Sequence, residues 1–358
     1  MHIVYSDKHR LHVTDHVLQN GQPFISEDDP ARAEIILEAI KSAKLGILQP
    51  PTDHGIQPLL AVHDPEYLKF LQQVYIEYTD YYHESAPVFP ETFASRHPRR
   101  KPNHSYWLMG YYAYGVGSPI LEGTWTAAYW SVQCALTASD LVRKNNRNIT
   151  CRVAYAICRP PGHHAAVDQY GGLCYLNNAA IAARYLQNVS PHLTEGSGRK
   201  TQIAILDIDY HHGNGTQEIF YSDPSVLFCS LHAHPDNDYP YFWGAEDEIG
   251  EKEGQGYNHN WTLPPGTDDI SYLNVLELAL DTIRGFNADY LVISVGFDTA
   301  VGDPIGEFKL TTAGFAEIGR RISNLKLPTV ITQEGGYLLD QLGMNAVAFL
   351  SPFENNVV

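Results

Sequence analysis

Four short stretches gather histidine, aspartate and tyrosine side chains of the kind a hydrolytic site is built from: Pro160-Pro-Gly-His-His164, Asp207-Ile-Asp-Tyr-His-His212, Phe297-Asp298 and Glu334-Gly-Gly-Tyr337. Asp207, Asp209 and His211 are spaced two apart, and on an extended segment such residues point the same way. Asp298 adds a carboxylate from a distant part of the chain. Two oxygen donors and one imidazole suit a borderline ion such as zinc, and three protein ligands leave a fourth position open for water. Alone, Asp207-Ile208-Asp209 is equally the pattern of a capped turn between strand and helix. The site is favoured by how many charged residues end buried strands together.

Paired histidines on a loop are commonly a surface feature. Beside a metal, His163 and His164 have the pKa that proton transfer near neutral pH needs, and Pro160 and Pro161 stiffen their loop. By the same alternation His212 points away from the site and takes a structural role. Tyr337, on a turn with two glycines, offers a phenol that can donate to the oxyanion formed during amide hydrolysis.

Such residues need a scaffold that brings distant segments together. Val153 to Cys158, Ile203 to Asp209, Val226 to Leu231, Tyr290 to Gly296 and Thr329 to Thr332 are short, β-branched and not strictly alternating, as buried parallel strands are. Helical periodicity covers Asn178 to Gln187, Ile270 to Phe286 and Thr311 to Ser323, and earlier Ala31 to Ala43, Pro65 to Tyr78 and Thr126 to Lys144. This order predicts an α/β fold with a mainly parallel central sheet flanked by helices, whose ligands bind beyond the carboxyl ends of the strands. Residues 81–123, crowded with Tyr, Pro, Gly and His, form a long loop insertion, and nothing marks a boundary within 1–358.

The chain has 358 residues, 44% of them hydrophobic, enough for one large domain, and a formal net charge of -17. That charge excludes a nucleic-acid partner, which needs a basic face, and suits a small cationic substrate. Cys134, Cys151, Cys158, Cys174 and Cys229 contain no C-x-x-C pair, which points to free thiols in a reducing compartment. No apolar run approaches the ~18 residues of a membrane span, and the start lacks a secretory pattern. The expectation is a cytoplasmic protein with no membrane partner.

Several longer motifs resemble the deacetylase family with the arginase-like fold, which comprises zinc histone deacetylases, acetoin-utilisation proteins and acetylpolyamine amidohydrolases. They are Arg159-Pro-Pro-Gly-His-His164, Gly172-Leu-Cys-Tyr-Leu-Asn177, Asp207-Ile-Asp-Tyr-His-His-Gly-Asn-Gly-Thr216, Ser230-Leu-His232, Gly296-Phe-Asp298 with Gly302-Asp-Pro304, and Glu334-Gly-Gly-Tyr337. Within the family, Pro90-Glu-Thr-Phe-Ala-Ser95, Gly110-Tyr-Tyr112, Gly123-Thr-Trp125 and Ala127-Ala-Tyr-Trp130 are most similar to the bacterial acetylpolyamine amidohydrolases. The resemblance implies a zinc-dependent deacetylase of acetylated polyamines or diamines. A lysine deacetylase and a non-catalytic binder of acylated amines remain as alternatives.

The resemblance also implies roles. Asp209, His211 and Asp298 would hold zinc. His163 and His164 would move protons, oriented by Asp207 and Asn214, and Tyr337 would bind the oxyanion. Potassium is implied near Asp207, Asp209, His211, Ser230 and Leu231, and a second potassium near Phe220, Asp223 and Val226. Gly172, Leu173, Tyr239 and Ile305 would line the substrate channel. The 81–123 loop would pack across the partner of a homodimer and narrow the channel mouth.

Leu173 departs from the aromatic that commonly forms one channel wall. Ile305 stands where the vertebrate polyamine deacetylase has a gatekeeper glutamate. Near Thr126 the glutamate of bacterial relatives is missing, which leaves Glu91, Glu122, Asp236 or Asp238 to meet a distant ammonium.

Overall fold

A computed structural model describes residues 1–19, 21–94, 100–145, 152–190 and 199–355; Ser95 and Cys151, singled out above, lie outside them. The chain begins with β1 (His2–Val4), a hairpin of β2 (His16–Gln19) and β3 (Gln22–Ile25), α1 (Ala31–Ser42) and β4 (Ile47–Gln49). Helices α2 (Gln57–Leu60), α3 (Pro65–Tyr82), α4 (Met109–Tyr112) and α5 (Thr124–Asn145) follow. Strands and helices then alternate: β5 (Val153–Ala156), α6 (Asn178–Val189), β6 (Ile203–Asp207), α7 (Asn214–Phe220) and β7 (Val226–Ala233). The chain continues through β8 (Asn258–Leu263), α8 (Asp269–Phe286), β9 (Tyr290–Val295), α9 (Thr312–Ser323), β10 (Thr329–Gln333) and α10 (Leu339–Asn355).

Eight strands form one sheet in the order β4-β1-β5-β10-β9-β6-β7-β8, and each neighbouring pair is parallel. Both faces are covered. Ile203 and Ile205 of β6 pack with α3, α5 and α6 on one side. Ala204 and Leu206 pack with α1, α8, α9 and α10 on the other. Burial on both faces explains why these strands are apolar throughout.

The five strands expected from sequence are present, with shifted ends. β5 stops at Ala156 and β6 at Asp207, each two residues early, whereas β7 runs on to Ala233. Beyond β6 the backbone is turned by its own side chains: Asp207 Oδ1 accepts the Asp209 N–H at 3.2 Å, and Asp209 Oδ1 accepts the His211 N–H at 2.9 Å. Asp209 and His211 are therefore aligned by side-chain turns, not by strand alternation as expected.

Between α3 and α5 the described part of 81–123 carries short helical turns and isolated bridges, Val88 pairing with Ile120 and Ala113 with Tyr170. Its last part is not set apart from the site, because Tyr114 donates through its hydroxyl to the His164 carbonyl at 3.1 Å. The Leu173 N–H likewise donates to Ser118 Oγ at 2.8 Å.

Candidate active site

Strands β5, β10, β9 and β6 are consecutive in the sheet. Their carboxyl ends carry, in that order, the tandem histidines, Glu334 to Tyr337, Asp298, and Asp207 to His211, so four distant motifs meet at one edge. There they surround a cavity of about 540 Å³.

One ligand atom each from Asp209, His211 and Asp298 lies within 4.8 Å of the others. His211 Nδ1 is 3.3 Å from both Asp209 Oδ1 and Asp298 Oδ2. Asp209 Oδ2 accepts the Gly335 N–H at 2.8 Å, and Asp298 Oδ1 accepts the Tyr210 N–H at 3.0 Å. Asp298 Oδ2 is buried and accepts no hydrogen bond. Burial and the Asp209 carboxylate push the Asp298 pKa up, the response of two acids held together away from water. Two oxygen donors and one imidazole held this close together fit a divalent metal.

The carboxylates approach so closely because glycine faces them. A Cβ on Gly296 would stand 2.1 Å from Asp209 Oδ2, and one on Gly335 would stand 2.2 Å from Asp298 Oδ2. A second group, His163, Cys174 and Glu334, is equally compact. It does not suit a metal, because burial pushes the Cys174 thiol far up and Glu334 is committed to backbone donors.

His163 Nδ1 is 3.1 Å from Asp207 Oδ2, and His164 Nδ1 is 2.7 Å from Asn214 Oδ1. Both partners are acceptors, so each Nδ1 donates. Burial opposes charge on His163, but Asp207 and Asp209 outweigh it and raise its pKa to about 10. Burial, then the charges of His163 and His211, push His164 well below its ordinary value. The two imidazoles are thus split into a charged and a neutral member. Their loop is held by Glu334, whose Oε2 accepts the N–H groups of Gly162 at 2.6 Å and His163 at 3.2 Å.

Tyr337 lines the cavity, and burial keeps its phenol far above the ordinary pKa and therefore protonated. Asp303 Oδ2 accepts the Tyr337 N–H at 2.7 Å, and the Arg32 guanidinium lies 4.4 Å from the ring centroid. Arg32 donates to the carbonyls of Gly336 and Glu334 and to Asp28 Oδ1. Arg159 donates to the same Asp28 oxygen at 2.9 Å. This buried Arg–Asp–Arg cluster ties the segment after β3 to the turn that carries Tyr337.

Gly172, Leu173, Tyr239 and Ile305 all line the cavity. The Tyr239 ring meets His164 edge-on at 4.9 Å. Asp207 and Ser230 are register partners on β6 and β7, with Leu231 next along. Phe220, Asp223 and Val226 share one turn, in which the Phe220 carbonyl accepts the Asp223 N–H at 2.9 Å and the Asp223 carbonyl accepts the Val226 N–H at 3.3 Å. The His212 ring lies 4.5 Å from the His232 ring.

Of the four acids expected to meet a distant ammonium, only Asp238 lines the cavity. Its oxygens are taken by the Tyr210 hydroxyl and the Tyr239 N–H. Sequence reasoning passed over Glu27, which does line the cavity, and the anchors Asp28 and Arg32. These three adjoin no strand-end motif; only the charges just before and within α1 could have drawn attention to them.

The histone deacetylase domain matches residues 26–352. The chain is 44% identical to acetylpolyamine amidohydrolase 1 of Pseudomonas aeruginosa over 354 residues, 98% of each chain. The crystal structure of acetylpolyamine aminohydrolase from Burkholderia pseudomallei superposes with a TM-score of 0.88 at 38% identity, covering 99% of this chain and 98% of that one. Histone deacetylase 8 of Arabidopsis thaliana is 36% identical over 238 residues, 62% of this chain and 58% of that protein. A domain match over most of its length, at one with the strand-end site, places this chain in the histone deacetylase domain family of hydrolases.

Proposed function

We propose that the protein removes the acetyl group from acetylated polyamines or diamines, releasing acetate and the free amine. One observation carries this choice over lysine deacetylation: the likeness to acetylpolyamine amidohydrolases extends over nearly the whole of both chains, whereas the plant histone deacetylase matches only part.

Asp209, His211 and Asp298 would hold zinc, which when bound supplies a Lewis acid that polarises the acetyl carbonyl and makes water a better nucleophile. His164, neutral and with Nδ1 turned to Asn214, presents Nε2 to accept a proton from the attacking water. His163, charged and steadied by Asp207, delivers a proton to the departing amine nitrogen. Tyr337 donates its hydroxyl proton in a hydrogen bond to the carbonyl oxygen as negative charge grows there.

Potassium would lie near Asp207, Asp209, His211, Ser230 and Leu231, and a second ion near Phe220, Asp223 and Val226. Residues 1–358 act as one catalytic unit in the cytoplasm, which four buried free cysteines support. Homodimerisation through 81–123 is supported by the exposed aromatics Tyr81, Tyr82, Phe93 and Trp107 on and after α3.

The test is acetate release from acetylputrescine, acetylcadaverine and acetylspermidine, before and after chelation and zinc return. Turnover that disappears with the metal and comes back with it is expected. Binding without turnover in the zinc-loaded protein would make this a silent acyl-amine binder.

A further inference from the structure

If the substrate is an acetylated diamine, as proposed above, its far end is an ammonium that must be met somewhere along the channel. No lysine or arginine lines the cavity among the described residues, and its acids are Glu27, Asp209 and Asp238. Asp209 belongs to the metal ligands. Asp238 already has a donor on each carboxylate oxygen, the Tyr210 hydroxyl at 2.7 Å and the Tyr239 N–H at 2.9 Å. Glu27 is left. We propose that Glu27 recognises the distal ammonium and so selects cationic acetylated diamines over neutral amides of the same length.

Its surroundings leave the carboxylate available. Half-buried, it makes no hydrogen bond or ion pair with any described residue. The charged group that acts on it is Asp303, of the same sign. A partly desolvated carboxylate beside another acid is stabilised by an arriving cation, and a charge-assisted hydrogen bond is the form that contact takes.

Position supports the role. Glu27 follows β3, whose exposed Phe24 and Ile25 line the same cavity as Asp209, His211 and Tyr337. Leu173, Tyr239 and Ile305 line the same cavity and offer apolar surface suited to methylenes. The Glu27 backbone is fixed, because its carbonyl accepts the Asp29 N–H at 2.9 Å and the next residue, Asp28, is clamped by Arg32 and Arg159. A carboxylate on a held backbone loses little freedom when it binds.

The experiment compares wild type, Glu27→Gln and Glu27→Asp on acetylputrescine and on N-butylacetamide, which lacks the ammonium. Calorimetric titration of free putrescine accompanies it as a measurement independent of turnover. Glu27→Gln is expected to raise KM for acetylputrescine about tenfold with kcat nearly unchanged, to weaken putrescine to a similar extent, and to leave N-butylacetamide unaffected. Glu27→Asp should restore part of the loss. Equal changes for both amides, or putrescine affinity that is absent in wild type or unmoved by Glu27→Gln, would overturn the proposal. Putrescine binding that depends on Glu27 in a protein that deacetylates neither amide would leave it standing and sink the deacetylase reading instead.

Discussion

At the scale of single residues, Tyr337 shows how burial sets chemistry. Its phenol is kept protonated by loss of water, while Asp303 fixes its backbone and Arg32 covers its ring. Tyr337→Phe removes only the donor, so metal content should match wild type while kcat falls by about 10²–10³. Metal analysis beside single-turnover kinetics checks this, and near-normal turnover would take away the assigned role. Asp209, His211 and Asp298 were visible in the sequence because buried strands seldom end in charge. Glu27 and Arg32 were not, because each acquires its meaning from residues far away in sequence: Asp303 for one, the Glu334 and Gly336 carbonyls for the other.

At the scale of elements, the central strands were legible because burial on both faces makes them uniformly apolar. β1 and β4 were missed, being only three residues each, and β8, with the sequence Asn-His-Asn-Trp-Thr-Leu, carries the polar residues of an edge. The turn after β6 also escaped, since its alignment rests on carboxylate-to-backbone bonds that a strand pattern does not encode.

Helix contacts supply a pH prediction. His63, just before α3, accepts the N–H of Asn177, the N-cap of α6, through Nε2 at 3.0 Å. Burial lowers its pKa to about 4, below the ~6.5 of an unfolded histidine, so the unfolded chain takes up the proton first. The contribution is therefore unaffected above pH ~6.5 and lost progressively as pH falls toward about 4, reaching ~3 kcal/mol at most. Urea unfolding of wild type and His63→Gln from pH 7 to 4 should show a shallower pH dependence in the variant. Parallel curves would refute the assignment.

At the scale of the whole molecule, one sheet edge collects the chemistry, and Gly115, Val116 and Gly117 of the long loop region line the cavity there. The described part of 81–123 looked structureless in sequence because it is held by contacts with other parts of the fold, such as Tyr114 with His164. If that region also pairs two copies, sedimentation should give a dimer. Trp107→Glu should then produce a monomer with raised KM. A monomeric wild type with full activity would remove the dimer from the account.

Substrate identity is tested most directly by internal competition: acetylputrescine and an acetyl-lysine peptide mixed in one vessel with the zinc-loaded protein, both products followed over time. The ratio of kcat/KM values should favour acetylputrescine by at least about tenfold, a difference near 1.4 kcal/mol in transition-state stabilisation. A ratio that favours the peptide would contradict polyamine deacetylation as the activity of this protein.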